Sequence, residues 1–316
     1  DLVALPKAHL HVHLESTIRP ATLAALGSAP LLPAAFAGFG AFAEYNAAVR
    51  SRLRTAADFE RVAYEFCVDA AVDGVRYAEL TFTAAAHGAR LGDASLPLNG
   101  VLAGLSAGMR DTGLVVRLVL DHSRRRPLPA AETVRLALGH PDLVVAFGVA
   151  GDEAARLAPY AELVGSAAAR GVHLVHHAGE TGGAASVREA LDLGRAERIG
   201  HGIRALEDRS LTAELRERQI PLEVCPSSNV ALGLVPSLPE HPLPALVEAG
   251  LAVTLNTDIP SVTGRALSAE YAAVRDTFGC ADTELVAFAR TAVDAAYAPA
   301  PLKAELHRAI TTWLAS

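Results

Sequence analysis

Eight short runs of β-branched and apolar residues, alternating with stretches of helical period, limit the fold of this chain most. The runs are His9–Leu14, Val75–Phe82, Val115–Leu120, Leu143–Val149, His173–His177, Arg198–Gly202, Pro221–Cys225 and Ala252–Asn256. Between them, Asp58–Ala71, Glu153–Ala169, Ser186–Leu193 and Arg209–Arg218 carry Ala/Leu/Glu-rich helical patterns. Strands alternating with helices read as a parallel α/β fold. Eight is also the number of strands that closes such a sheet into a barrel. The expectation is a TIM (β/α)8 barrel, with residues 1–316 forming one domain. A hydrophobic fraction of 51% is enough to fill a core of that size.

One segment breaks the rhythm. Residues 31–54 lie between the first strand and its return helix and are rich in Phe and Ala. An insertion at this point of a barrel sits over the face where active sites form. It reads as a helical lid after strand 1 or, equally, as an extra packed helical hairpin.

Charge and cysteine usage remove several function classes. The formal net charge is −7 and the pI about 5.9, without the clustered basic face that nucleic acid requires. The run Arg124-Arg125-Arg126 is short, ends at Pro127 and reads as a solvated loop. Three cysteines, Cys67, Cys225 and Cys280, are too scattered for a disulfide framework and sit in apolar company. Their usage fits a reducing, cytoplasmic setting. The sequence opens at Asp1 without a basic, apolar leader, and no apolar run reaches the roughly 18–20 residues of a membrane span.

Four of the runs end in residues that carry chemistry. In KAHLHVHLES, His11 and His13 are two apart, so on a strand they point the same way and offer two imidazoles side by side. That pairing suits zinc or a similar nitrogen-seeking ion. His9 shares the parity and lies deeper. In HHAGE, one of His176 and His177 can reach the same ion, and Glu180 stands three residues on. A buried Glu beside a metal is tuned toward neutral pKa by desolvation. Alternatively, Glu180 is a helix N-terminal carboxylate. His201 in RIGHG is flanked by glycines that leave its ring accessible. Asp258 in LNTDIP ends the last strand, where it can ligate a metal and take a proton from water, or simply form an Asp-x-Pro turn. Singly each feature has an ordinary structural explanation. Barrel active sites, however, are built from strand ends such as these.

Together these residues resemble the adenosine deaminase family of the amidohydrolase superfamily. PKAHLHVHLE is similar to its first-strand motif, AGDE at Ala150–Glu153 to its fourth, HAGE to its fifth, IGHG to its sixth, CPSSN to its seventh and NTD at Asn256–Asp258 to its eighth. The order and spacing agree from about Leu5 to the C-terminal helices. The resemblance implies one Zn2+ held by His11, His13, His177 and Asp258, other divalent transition metals being open. It implies a hydrolytic deamination in which hydroxide generated at the metal attacks an amino-bearing ring carbon and ammonia leaves. Glu180 would protonate the ring nitrogen next to that carbon, and His201 would orient the hydroxide. Asp258 counts as catalytic as well as ligating. His13, Glu15, Gly151 and position 259 would contact substrate, and Asn229 would support the site from behind. The implied partner is a small nucleoside-like substrate, bound by a monomer or homodimer.

Three departures bear on substrate choice. Ile259 stands where the family commonly has an aspartate that hydrogen-bonds N7 of the purine. Losing that contact is worth about 1–3 kcal/mol. Glu15-Ser16 follows HxHL, as in the adenine and aminofutalosine branches, whereas AGDE and IGHG lean toward the nucleoside branch. Gly148 occupies a position where an aspartate is frequent. A purine nucleoside deaminase is the leading reading. A deaminase of another amino-heterocycle, aminodeoxyfutalosine or a specialised metabolite, is the alternative that Ile259 favours. A non-catalytic nucleoside-binding relative would have been expected to lose a ligand or the proton donor, and both are kept.

Overall fold

The computed structural model describes residues 1–27, 30–33, 36–125 and 130–316. Eight strands, β1 (Lys7–His13), β2 (Val75–Phe82), β3 (Val115–Ser123), β4 (Val144–Ala150), β5 (His173–Ala178), β6 (Arg198–His201), β7 (Leu222–Val224) and β8 (Val253–Leu255), lie side by side in sequence order, and each pair is parallel. Helices fill the crossovers, giving the TIM (β/α)8 barrel expected from the alternation of runs. The seam between β8 and β1 is closed by backbone around Asp258. His13 N donates to Asp258 O at 2.9 Å, and Asp258 N donates to His11 O at 3.0 Å. The Asn256 side-chain oxygen accepts from Leu10 N and His11 N at 2.8 and 3.0 Å. The residues read as chemical in the sequence therefore also hold the barrel shut.

Strand alternation divides the buried residues into two populations. Leu10, Val12, Leu80, Phe82, Leu118, Phe147 and Leu222 belong to the large apolar core. Residues of the other parity meet inside the barrel. There Val119, Ala146 and Val175 make a small apolar layer. Beside it Glu79, Arg198, Glu223 and His11 form a buried ionic column. Arg198 donates through Nη2 to Glu79 and through Nε to Glu223 at 2.7 Å, and its guanidinium lies 4.1 Å from the Tyr297 ring centroid. Glu79 also accepts from Tyr77 Oη at 2.8 Å and Tyr297 N at 2.6 Å. Every charge in this column has an opposite partner, as burial demands.

Helix Ala56–Val72 is started by a capping box between Thr55 and Asp58, and Arg209–Arg218 by Asp208. The helix expected over Glu153–Ala169 is shorter. It begins as a single turn at Ala158–Tyr160 and continues as Ala161–Ala168. Pro159 is tolerated only in a first turn, and the Glu153 carboxylate is engaged elsewhere. Within residues 31–54 the described structure holds one helix, Phe39–Arg50, rather than a helical hairpin; positions 34 and 35 lie outside the described residues. Phe36 and Phe42 pack with Leu232 and Ile259 in a separate apolar cluster. Cys67 and Cys225 are buried and free; Cys280 is free and only partly buried. Of the expected basic loop, Arg126 and Pro127 lie outside the described residues; Arg124 is buried, and its Nη2 donates to His177 O at 2.5 Å. No helix among the described residues is long and apolar enough to cross a membrane.

Candidate active site

Parity in β1 turns His9, His11 and His13 inward, and the mouth of the barrel gathers the ends of β5, β6 and β8 around the last two. His11, His177, His201 and Asp258 each present a donor atom within 4.8 Å of the others, all four buried. His13 stands directly against this group, its Nε2 3.1 Å from His177 Nε2 and 3.2 Å from Asp258 Oδ1. The ligands of a tetrahedral zinc ion, at Zn–N of about 2.0–2.1 Å, stand roughly 3.3 Å apart, so these separations fit one ion. Of the adjacent pair in HHAGE, His177 faces the site. His176 points away, its Nδ1 accepting from Val149 N at 3.0 Å and its Nε2 donating to Gly194 O at 2.8 Å.

The hydrogen bonds behind two of the imidazoles fix what each can do in front. His11 Nδ1 donates to Glu223 Oε2 at 2.8 Å, so Nε2 is the atom it would offer a cation; without one, and against the effect of burial, Asp258 and Glu223 raise its pKa to about 10 and favour the protonated ring. That Nε2 is buried and makes no hydrogen bond among the described residues. Gly200 permits this packing, because a Cβ there would lie 2.8 Å from His11 Cε1. His201 has the opposite tautomer. Leu243 N donates to His241 Nδ1 at 3.0 Å, so His241 Nε2 must carry the proton and donate to Asn229 Oδ1 at 3.1 Å. Asn229 is thereby oriented with its Nδ2 donating to His201 Nδ1 at 3.3 Å. His201 Nε2 then bears the hydrogen. It points into the site, unpartnered, 3.6 Å from Glu180 Oε1. Burial lowers the pKa of His201 to about 3 and that of His241 to about 4, so both rings stay neutral. In this tautomer His201 turns an N–H rather than a lone pair toward the site, although it belongs to the same cluster by distance.

Asp258 and His201 both have positive φ, 57° and 65°. Such backbone is uncommon for residues with a Cβ and persists where surrounding structure imposes it. Ser228 Oγ donates to Asp258 Oδ2 at 2.5 Å, turning Oδ1 toward His11 and His13. Burial alone would raise the Asp258 pKa, but the surrounding imidazoles hold it low.

Glu180 is 2% exposed. Burial, then the charges of Asp258 and Glu153, push its carboxyl pKa well up, which favours the protonated form. The loop carrying it is anchored by Glu153, whose carboxylate accepts from Gly179 N, Glu180 N and Thr181 N at 2.8, 2.8 and 3.0 Å. This clamp is the purpose of the last residue in AGDE. The sequence alone assigns neither Glu153 nor His241 a role; the AGDE motif is the signal that could have found Glu153, and nothing local marks His241.

A 490 Å³ cavity opens in front of these groups, lined by His13, Glu180, His201, Asp258, Gly151, Glu15 and Ile259 among others. Every site residue expected from the sequence either lines it or, like His11, lies just beneath. Helix Phe39–Arg50 forms its roof, contributing Phe39, Phe42, Asn46 and Arg50. Ile259 is 1% exposed and belongs to the Phe36–Phe42–Leu232 cluster, so its wall is apolar.

The family model described as adenosine deaminase matches residues 6–313. A putative adenosine/adenine deaminase of Streptomyces coelicolor is 35% identical, covering 99% of this chain and 98% of its own. An aminodeoxyfutalosine deaminase of the same organism is 37% identical over 100% of this chain and 87% of its own. The crystal structure of an adenine deaminase from Arthrobacter aurescens superposes with a TM-score of 0.90 at 29% identity, covering 98% and 99% of the two chains. An amidohydrolase from Burkholderia ambifaria, solved with bound zinc, superposes with a TM-score of 0.85 at 25% identity, covering 100% and 94%.

Proposed function

Since the chain belongs to the adenosine deaminase family, and is therefore a hydrolase of C–N bonds in cyclic amidines, we propose that it deaminates a purine nucleoside or nucleoside-like substrate with the help of one zinc ion. His11, His13, His177 and Asp258 would hold that ion, residues 1–316 acting as one domain. When bound, a divalent metal lowers the pKa of water from near 16 to about 7. The observation that carries the reading is the convergence of opposite tautomers on Asp258. With Nδ1 on Glu223, His11 would give Nε2 to the ion; His201 gives an N–H, and the buried Glu180, its pKa raised, stands beside them.

Each of these groups has a step it can perform. Asp258, anchored by Ser228, accepts the proton that water gives up. His201 Nε2–H orients the attacking oxygen and stabilises charge developing on it. Glu180 delivers its proton to the ring nitrogen adjacent to the attacked carbon. Water and the amino-heterocycle then become the oxo-heterocycle and ammonia. Gly151 lies against the cavity, where its backbone can meet the ring, and Glu15 lies farther out. The cavity is far larger than a bare bicyclic base needs, which supports a substrate with a substituent.

Ammonia release should be assayed across adenosine, deoxyadenosine, adenine, aminodeoxyfutalosine and N6-substituted analogues. Turnover of a purine nucleoside supports the reading; no turnover of any purine sinks it. Purified protein should carry stoichiometric zinc or a similar ion. The apolar surroundings of Ile259 favour one second reading, a deaminase of an amino-heterocycle with no hydrogen-bonding atom at that edge.

A further inference from the structure

Asp121 is a buried carboxyl that the reaction above does not use. It sits near the end of β3, opposite Gly148 of β4, and lines the same cavity as Glu15, Thr83, Ser123 and Arg50. It is 5% exposed, and its Oδ1 is buried without a hydrogen-bond partner among the described residues. A carboxyl left in that state destabilises the fold unless something else supplies a donor. Gly148 is required by Val175 rather than by Asp121: a Cβ there would stand 2.5 Å from Val175 O but at an ordinary 3.7 Å from Asp121 Cβ.

The group beside it is also prepared for a ligand. Arg90 Nη2 donates to His87 Nδ1 at 2.9 Å, so His87 Nε2 carries a proton and donates to Glu15 Oε1 at 2.9 Å. Thr83 Oγ1 donates to the same oxygen at 2.5 Å, and Arg50 Nε lies 3.6 Å from it. All these contacts fall on Oε1. Among the described residues nothing is bonded to Oε2. The cavity therefore presents the unpartnered Asp121 Oδ1 beside a Glu15 carboxylate that is already held in place. Burial, then the charge of Glu15, raise the Asp121 pKa to about 7 against the pull of Arg50. Near neutrality Asp121 can both accept from and donate to a hydroxyl, which is itself both donor and acceptor.

We propose that Asp121 is a substrate-recognition residue that binds a hydroxyl of a neutral, pentose-like substituent on the amino-heterocycle, beside the Glu15 that the family resemblance already places against substrate. A bare base would leave Asp121 Oδ1 unsatisfied. A phosphate in place of the hydroxyl would face like charge, with Arg50 already beside Glu15. This inference rests on the deaminase reading for the identity of the heterocycle, but not for the preference itself.

The test is calorimetric titration of the zinc-loaded enzyme with inosine, hypoxanthine and inosine 5′-monophosphate, using wild type, Asp121→Asn and Asp121→Ala. Wild type should bind inosine about 10- to 100-fold more tightly than hypoxanthine, and the monophosphate more weakly than inosine. Asp121→Ala should lose most of the preference and Asp121→Asn part of it, with hypoxanthine affinity unchanged in both. Asp121→Asn is close to isosteric and serves if Asp121→Ala does not fold. No preference for inosine in wild type, or the same preference in the folded variants, overturns the proposal. Failure of the deaminase reading would look different: inosine preferred as expected, yet no ammonia released from any ribosylated amino-heterocycle.

Discussion

Asp258 and Ile259 are neighbours in the chain, yet the walls they belong to are built differently. Around Asp258, Glu223 fixes His11, Asn229 and His241 fix His201, Ser228 fixes the Asp258 carboxylate, and Glu153 fixes the loop of Glu180. Around Ile259 the contacts are Phe36, Phe42 and Leu232, with the Phe36 and Phe42 rings edge to face at 5.6 Å between centroids. Hydrogen bonds are directional, so the first wall tolerates one arrangement. Dispersion is not, so the second tolerates any side chains of suitable volume. On the proposed function, the first wall would set the reaction and the second the shape of the ring accepted.

Removing the proton on Glu180 should cut deepest. Glu180→Gln keeps the size and the Glu153 clamp on the backbone, but cannot release a proton. The expected loss is about 10²- to 10⁴-fold in kcat with metal content unchanged, read by steady-state kinetics and metal analysis together. A variant that retains near-normal kcat would remove Glu180 from its assigned role.

His241 tests whether the first wall depends on its outer partners. Without a fixed donor behind Asn229, the amide can turn and His201 can adopt the other tautomer. His241→Ala should lower kcat about 10- to 100-fold, with KM little changed and zinc retained. His241→Gln, whose amide N–H can donate to Asn229, should recover part of the loss. Nitrogen-15 NMR of the His201 ring separates this from general loosening: the Nε2–H tautomer should dominate in wild type and mix with the other in His241→Ala.

How much of this was legible beforehand follows the same division. Period-two runs place strands well, so β2 and the helix Arg209–Arg218 have the expected limits, and the strand-end residues converge as their parity requires. The helix expected from Glu153 fails because amphipathic pattern does not register that Glu153 is committed to backbone N–H groups 26 to 28 residues away. His241 escaped for a similar reason: it contacts the site only through Asn229, and a lone His near prolines carries no local signal. Ile259 was visible as a departure. Its packing against a Phe-rich insertion more than two hundred residues earlier in the chain was not, since apolar clustering has no sequence spacing to read.

Ile259→Asp sharpens the comparison by carrying a polar group from one wall to the other. If the chain lacked only one hydrogen bond to N7, the substitution should raise adenosine deamination. Its surroundings are aromatic and aliphatic, however, and a carboxylate there has no partner among Phe36, Phe42 and Leu232. The expected result is lower thermal stability, by about 2–4 kcal/mol, and no strong gain in adenosine kcat/KM. A large gain with stability preserved would show that this wall accepts polar recognition after all.

The smallest effect should come from the roof itself. Phe42→Leu replaces a ring that touches both Phe36 and Phe39 with a shorter apolar side chain, so the cluster persists with a gap on its cavity side. None of the groups that hold or move protons leans on Phe42. The variant should therefore bind substrate and transition state equally less well, with KM up about three- to tenfold and kcat within a factor of two. Substrates with a larger group at that edge should lose least, because they fill the gap. A fall in kcat comparable to that of His241→Ala would mean that the apolar wall positions the reacting ring, and the two walls would then be one machine.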